Sequence, residues 1–192
     1  MRGFTLVEML VVLTISAILI AAAVPSFVWM NARTKASNAS NDLLASMQLA
    51  RSEAIRRNVG VTVCRVEDPT LAAPVCSGAA VGPIAANDWG TGWVVFAKTG
   101  GIVAGTFEAG DTVVKAQQFI GPASPRAVIE SSAAPQFFSF RGDGMRNGGP
   151  IGITFSIDYR DPAVNAVSSA GRCMRLNMTG RADNYAPTAG VC

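Results

Sequence analysis

Four cysteines, at positions 64, 76, 173 and 192, and no histidine are what this 192-residue chain offers for covalent or metal chemistry. Without histidine, His-dependent serine or cysteine triads and His metal sites are excluded. The cysteine spacing contains no C-x-x-C and fits no zinc template. No G-x-x-x-x-G-K-[ST] loop is present to cradle a phosphate. Asp158 and Asp161 are close enough in sequence for acid/base work, but they flank Tyr159-Arg160 and precede Pro162, which reads as a solvated turn. Arg141-Gly142-Asp143 spells an adhesion tripeptide; followed by Gly144, it reads as a hairpin turn. The expectation is a protein with no catalytic residues, no metal and no cofactor, and not an enzyme.

The residue that demands a physical explanation is Glu8. It heads a block with no other charge from Met9 through Met30. At a rise of ~1.5 Å per residue, residues 4–30 would span about 40 Å as a helix, enough to cross a hydrocarbon core of roughly 30 Å. An ionised side chain at mid-bilayer depth costs ~2.5–3.5 kcal/mol, and less toward the ends. A place in the first helical turn recovers only ~0.3–1 kcal/mol. Two simpler readings compete with a functional one. In the first, Arg2 is the n-region and Ala21-Ala22-Ala23 the cleavage site of a secretory signal, although such signals avoid an acid where Glu8 stands. In the second, the block is a plain single-span anchor.

Stepping outward, 49% apolar and 15% charged residues describe a globular chain with room for one domain beyond the stem. The net charge of +3 is unevenly placed: Arg2 precedes the stem, residues 4–58 hold five bases and three acids, and residues 59–192 ten of each. A neutral head gives no strong attraction to nucleic acid or anionic lipid. Arg2 on one flank of the stem is outnumbered by Arg33 and Lys35 on the other, so charge bias alone does not orient it. The even cysteine count does, by suggesting a head in an oxidising compartment rather than four buried thiols in the cytosol. Three connectivities are possible, and the expectation is two local loops, Cys64 with Cys76 and Cys173 with Cys192, each contributing ~3 kcal/mol.

Pro25 lies inside the helical block, where proline removes a backbone hydrogen bond at a cost of about 3 kcal/mol, and a kink is expected there. Beyond it, Leu43, Met47, Ala50 and Ala54 recur at helical spacing as an apolar stripe, with Arg33, Lys35, Asp42, Arg51, Glu53 and Arg57 mostly off it. This predicts a helix to about Asn58, stopped by Gly60. Glu53 and Arg57, four apart, form an ion pair worth ~0.3–0.5 kcal/mol. After residue 60 the period changes: runs at 61–66, 93–97, 112–119, 136–140, 151–157 and 173–178, separated by Gly, Pro, Asn and Asp, predict antiparallel strands. Residues 69–87 and 162–171 read as flexible loops, candidate contact surfaces.

The order Gly3-Phe4-Thr5-Leu6-Val7-Glu8 resembles the class III signal of type IV pilins and pseudopilins. That resemblance implies cleavage by a prepilin peptidase between Gly3 and Phe4 and N-methylation of Phe4. It also implies that during assembly Glu8 meets the positive amino-terminus of a neighbouring subunit, so that two groups costly alone are paired. A proline at the position of Pro25 is similar to that of type IV pilins, whereas many type II secretion pseudopilins lack it. Leu49-Ala50-Arg51-Ser52-Glu53-Ala54-Ile55, leading into Val61-Thr62-Val63-Cys64, and Trp89-Gly90-Thr91-Gly92-Trp93-Val94-Val95-Phe96 resemble the junction and the W-x-x-GW-x-x-F element of the FimT and GspH group. Core packing by the two indoles, with glycine allowing a bend, is the expected role of the second.

Some FimT-like minor pilins bind DNA through a carboxy-terminal arginine motif. The matching stretch, Gly180-Arg181-Ala182-Asp183-Asn184-Tyr185-Ala186-Pro187, keeps the first arginine but places Asp183 and Asn184 where more positive charge would help. Arg172 and Arg175 could join Arg181, yet so few phosphate contacts predict weak binding at physiological salt.

The expected fold is therefore α+β and type IV pilin-like: a long amino-terminal helix, transmembrane in its first half and amphipathic in its second, packed on an antiparallel β-sheet head. Residues 1–3 would be the leader, 4–30 the membrane and polymerisation helix, 31–58 its continuation into the head, and 59–192 a periplasmic β-rich head. The resemblance implies inner-membrane insertion with a cytoplasmic amino-terminus. Implied partners are other minor and major pilins or pseudopilins, the prepilin peptidase and the inner-membrane assembly platform. Three roles follow: a minor pilin that initiates or tips a type IV pilus, a GspH-type pseudopilin of a type II secretion system, or a DNA-binding minor pilin for DNA uptake.

Overall fold

The computed structural model describes residues 5–81, 84–100, 105–118, 126–133, 135–148, 151–161, 166–167, 171–188 and 192, with the side chains of 21–29, 32–33, 126, 159–161 and 166–167 outside that description. One helix, α1 (Leu6–Arg57), takes up 52 residues. It starts at Thr5, whose hydroxyl accepts the Glu8 N–H at 3.3 Å, one half of a T-x-x-E capping box. Its backbone stays helical through position 25; the Pro25 side chain, and with it the expected kink, lies outside the described residues.

Gly60 is not the helix stop. Asn58 is, with φ 53 and its N–H returned to the Ala54 carbonyl. Asparagine tolerates the left-handed conformation better than other side-chain-bearing residues, so the helix ends at about Asn58 as expected, but on the asparagine itself rather than on the glycine. Gly60 already belongs to the sheet, its carbonyl accepting the Lys98 N–H at 2.8 Å.

Among the described residues nine strands follow: β1 (Val61–Arg65), β2 (Trp93–Ala97), β3 (Thr112–Gln117), β4 (Arg126–Ser131), β5 (Phe137–Phe140), β6 (Gly152–Asp161), β7 (Ala166–Val167), β8 (Arg172–Asn177) and β9 (Ala182–Tyr185). They form two sheets rather than one, in orders β3-β2-β1-β5 and β4-β6-β8-β9, with β7 paired to β6. Every named pairing is antiparallel. Leu43, Met47, Ala50 and Ala54 are buried in a cluster with Val63 and Trp93 of the first sheet and Phe155 and Met174 of the second. The helix is thus the element on which both sheets close.

Several expectations need correction. Asp158 and Asp161 do not sit in a turn: β6 runs through both, with Asp158 opposite Val128 of β4. β4, β7 and β9 were not expected at all. β9, Ala182-Asp183-Asn184-Tyr185, has no apolar period to announce it and exists because its backbone pairs with β8. Nor is 69–87 a loose connection in its described part. Arg65, fully buried, donates from Nε to the Asp88 carbonyl (2.7 Å), from Nη1 to that of Ser77 (2.6 Å) and from Nη2 to that of Ala79 (2.9 Å). A segment rich in Ala, Pro and Gly is fastened by one guanidinium reading its carbonyls. Of 162–171, only 166–167, which form β7, and Gly171 are described.

The Arg141 turn connects β5 to a return bridge between Phe140 and Arg146, closed by Gly144 N–H to the Arg141 carbonyl at 2.8 Å with Gly144 at φ 76. Trp89 and Trp93 are both fully buried, on either side of Gly92 at φ 123, a backbone conformation that suits glycine.

Candidate functional site

The first turns of α1 project beyond the head. Leu6, Leu13, Ile18 and Ile20 are 80%, 68%, 69% and 63% exposed, so no face of this stretch is covered by the rest of the chain. Its polar side chains are satisfied internally: Thr14 Oγ1 donates to the Val11 carbonyl (2.9 Å) and Ser16 Oγ to that of Val12 (2.8 Å), as an apolar environment requires. Glu8 is exposed in the first turn, near the positive end of the helix, and among the described residues its carboxylate has no partner. Gly3 and Phe4 lie outside the described residues.

Among the described residues, no helix is long and apolar enough to cross a membrane. The described apolar side chains from 6 to 20 cover only about 22 Å at the helical rise, against a core of roughly 30 Å. The remaining length of the expected span falls on 21–29, whose side chains are not described.

Where α1 meets the head, three groups set its register. Ser46 Oγ accepts from Trp93 Nε1 at 2.9 Å and Lys115 Nζ at 3.0 Å while donating to the Asp42 carbonyl at 2.7 Å. This one buried hydroxyl ties the helix to β2 and β3. Sequence reasoning passed over Ser46; the available signal was that a buried indole N–H needs an acceptor. Further on, Glu53 pairs with Arg57 at 2.6 Å and also with Arg56 at 2.6 Å. Hydrogen bonds from Arg56 and then Arg57 lower the Glu53 carboxyl to about 2.

Two disulfides join Cys64 to Cys76 and Cys173 to Cys192, and no described cysteine is free. The first closes the connection that Arg65 organises, and the second ties the carboxy-terminal residue to β8.

The structure does not gather the three arginines considered for DNA. Along β8, Arg172 shares the face of Met174 and Leu176, whereas Arg175 points to the other. Arg175 stands opposite Asp183 of β9, and Arg181 Nε is bonded to Asp183 Oδ1 at 2.8 Å. That carboxylate neutralises Arg181 and stands across the ladder from Arg175.

At the far end of α1, a cleft of about 400 Å³ is lined by Asn58, Gly60, Lys98, Thr99, Arg141 and Asp143. Its charges are already matched. Lys98 Nζ meets Asp111 at 2.8 Å and Glu108 at 3.0 Å, and Arg141 meets Asp143 at 3.2 Å. Among the described residues, no group of three or more His, Cys, Asp or Glu side chains could hold a metal.

Comparison with known proteins agrees with this anatomy. The family model described as type II transport protein GspH matches residues 39–180, and the prokaryotic N-terminal methylation motif, a mark of prepilin-type membrane-anchored proteins, matches residues 1–24. Among solved structures, the type IV minor pilin FimU of Pseudomonas aeruginosa (strain PAO1) is similar in fold, with a TM-score of 0.54 at 20% identity over 79% of this chain and 88% of that one. A second crystal form of FimU aligns with a TM-score of 0.49 at 19% identity, over 78% of this chain and 91% of that one. No curated protein sequence matches significantly. With three quarters of its length in one family model, a methylation motif at its start and a long helix closing two antiparallel sheets, the chain belongs to the GspH family of type IV pilin-like proteins.

Proposed function

We propose that this chain is a minor pilin of a type IV pilus. It is cut between Gly3 and Phe4, methylated at Phe4, held in the inner membrane by residues 4–30 and built into the complex that initiates or tips the filament. The head, residues 59–192, faces the periplasm. The observation that supports this reading is the uncovered apolar stem whose first turn carries one acid, Glu8, with no partner among the described residues. An exposed apolar surface of that extent needs lipid or a neighbouring stem, and an unpaired carboxylate on it needs a cation. In a filament the methylated amino-terminus of an adjacent subunit supplies that cation.

Glu8→Ala tests the proposal. The variant stays in the membrane fraction and is lost from sheared pili; normal incorporation would overturn the role given to Glu8. Intact mass of the membrane-extracted chain tests the processing: loss of residues 1–3 with gain of one methyl group supports it, whereas loss of about 23 residues marks a conventional signal.

A second reading, a pseudopilin of a type II secretion system, is favoured by the description of the matching family model. Deletion then abolishes exoprotein export and leaves piliation intact.

A further inference from the structure

Among the described residues, three cations are buried in the head: Arg65, Lys98 and Arg146. Two are matched, Arg65 by backbone carbonyls and Lys98 by two carboxylates. Arg146, 3% exposed, is not. Its main-chain N–H donates to the Met178 carbonyl at 3.0 Å, which fixes the residue in place. Its guanidinium reaches only a thioether, with Nη2 2.9 Å from Met178 Sδ, while Nε and Nη1 have no hydrogen-bond partner. Burial without a counter-charge pushes this arginine below its ordinary value. Each two-donor edge of the guanidinium includes Nη2, so a carboxylate, which matches such an edge in shape and charge, would take the place of the Met178 thioether.

Exposed apolar side chains lie near it in the chain, beside the Arg141–Asp143 pair. Met145 is 46% exposed and Ile151 89% exposed. Gly152 pairs with Asn177, so the antiparallel register brings Ile151 opposite Met178. Ile55, 52% exposed, packs over Gly144 beside Met145. Methionine side chains repack at small cost, and an arginine under movable methionines with exposed aliphatic neighbours has the composition of a protein-interface centre. A nucleic-acid phosphate would instead call for unpaired solvated cations around the site, and the exposed Arg141 of the same turn is already paired with Asp143 at 3.2 Å.

We propose that Arg146, Met145, Ile151 and Met178 form a docking surface for a different protein subunit, whose acidic side chain, set among apolar ones, displaces the Met178 thioether and pairs with the Arg146 guanidinium. The proposal rests on the assembly reading above, since it requires a neighbouring subunit.

The test places photoreactive p-benzoylphenylalanine at position 151 of the full chain in its native host, and in a parallel strain at position 10 of the stem. Irradiation is expected to give a head adduct with one other protein, the attached peptide carrying Asp or Glu among apolar residues. Arg146→Met, similar in length, is expected to cut that adduct at least about tenfold, as for a central interface arginine. Arg146→Lys, which keeps the charge and loses the fork, also reduces it and serves if the methionine variant fails to fold. An undiminished adduct in both variants, or an adduct with a second copy of this chain, lipid or nucleic acid, overturns the proposal. A stem adduct without a head adduct overturns it alone, and absence of both overturns the assembly reading with it.

Discussion

Replacing Lys98 with methionine, which is similar in length but uncharged, tests whether the β2–β3 connection is built around one ammonium. The side chains of Lys98 and Asp111 are each 2% exposed, and Glu108 is 49% exposed. The ammonium also donates to the Thr106 carbonyl at 2.9 Å. In Lys98→Met, Asp111 stays buried and keeps only the N–H groups of Thr99 (3.0 Å) and Glu108 (2.9 Å). Breaking a buried ion pair by removing one partner costs ~3–5 kcal/mol, and two surviving amide donors put this case at about 3 kcal/mol. The half-exposed Glu108 adds little. At ~2–4 °C per kcal/mol for a chain of this size, the melting temperature falls by about 6–12 °C.

The pH dependence identifies the cause of that loss. Burial works against the Asp111 charge, but Lys98 and the two amides outweigh it and hold the carboxyl below its usual range. Its stabilisation is therefore complete above the unfolded value, near ~4, and is lost as pH falls through the lower folded value. Burial likewise works against the Lys98 ammonium, but Asp111 and Glu108 outweigh it and raise the group. That stabilisation is complete below the ordinary lysine range and is lost as pH rises through the raised folded value. The gap between the native chain and Lys98→Met is thus widest around neutrality and closes in acid. Urea and thermal unfolding of the full chain in detergent micelles, from acid to neutral pH, measures it. A loss under about 1 kcal/mol at neutral pH, or a gap that persists in strong acid, would refute the reasoning.

Further substitutions probe the remaining joints. Ser46→Ala leaves the Trp93 indole N–H and the Lys115 ammonium without their shared acceptor and lowers stability by ~1–3 kcal/mol in the same assay. Converting Cys64 and Cys76 to serine opens a loop with a sequence separation of 12 and costs ~3 kcal/mol, read as a shift in urea midpoint. Asn58→Gly keeps or raises stability, whereas Asn58→Ala loses ~1 kcal/mol, because the position is left-handed. Gel shift with duplex DNA finds Asp183→Asn binding more tightly than the native chain, since it frees Arg181 and removes a negative charge opposite Arg175. Even then the salt slope stays below about 3, the limit for three arginines.

The elements were legible where local chemistry decides. The uncharged run after Glu8, the four-and-three spacing of Leu43, Met47, Ala50 and Ala54, and the Val-, Ile- and Phe-rich runs between Gly and Pro breakers from Val61 onward are local signals that need no distant partner. The methylation signal is a contiguous string and was equally open to inspection. Tertiary structure alone decided what depends on residues far apart in sequence. It split the strands into two sheets, made a strand of polar β9 through pairing with β8, and seated Ser46 under Trp93. It also fastened Ser77, Ala79 and Asp88 to Arg65 and left Arg146 without a counter-charge. A period in one segment reports which face is apolar; which charge meets which is set only when the long helix brings both sheets onto one core.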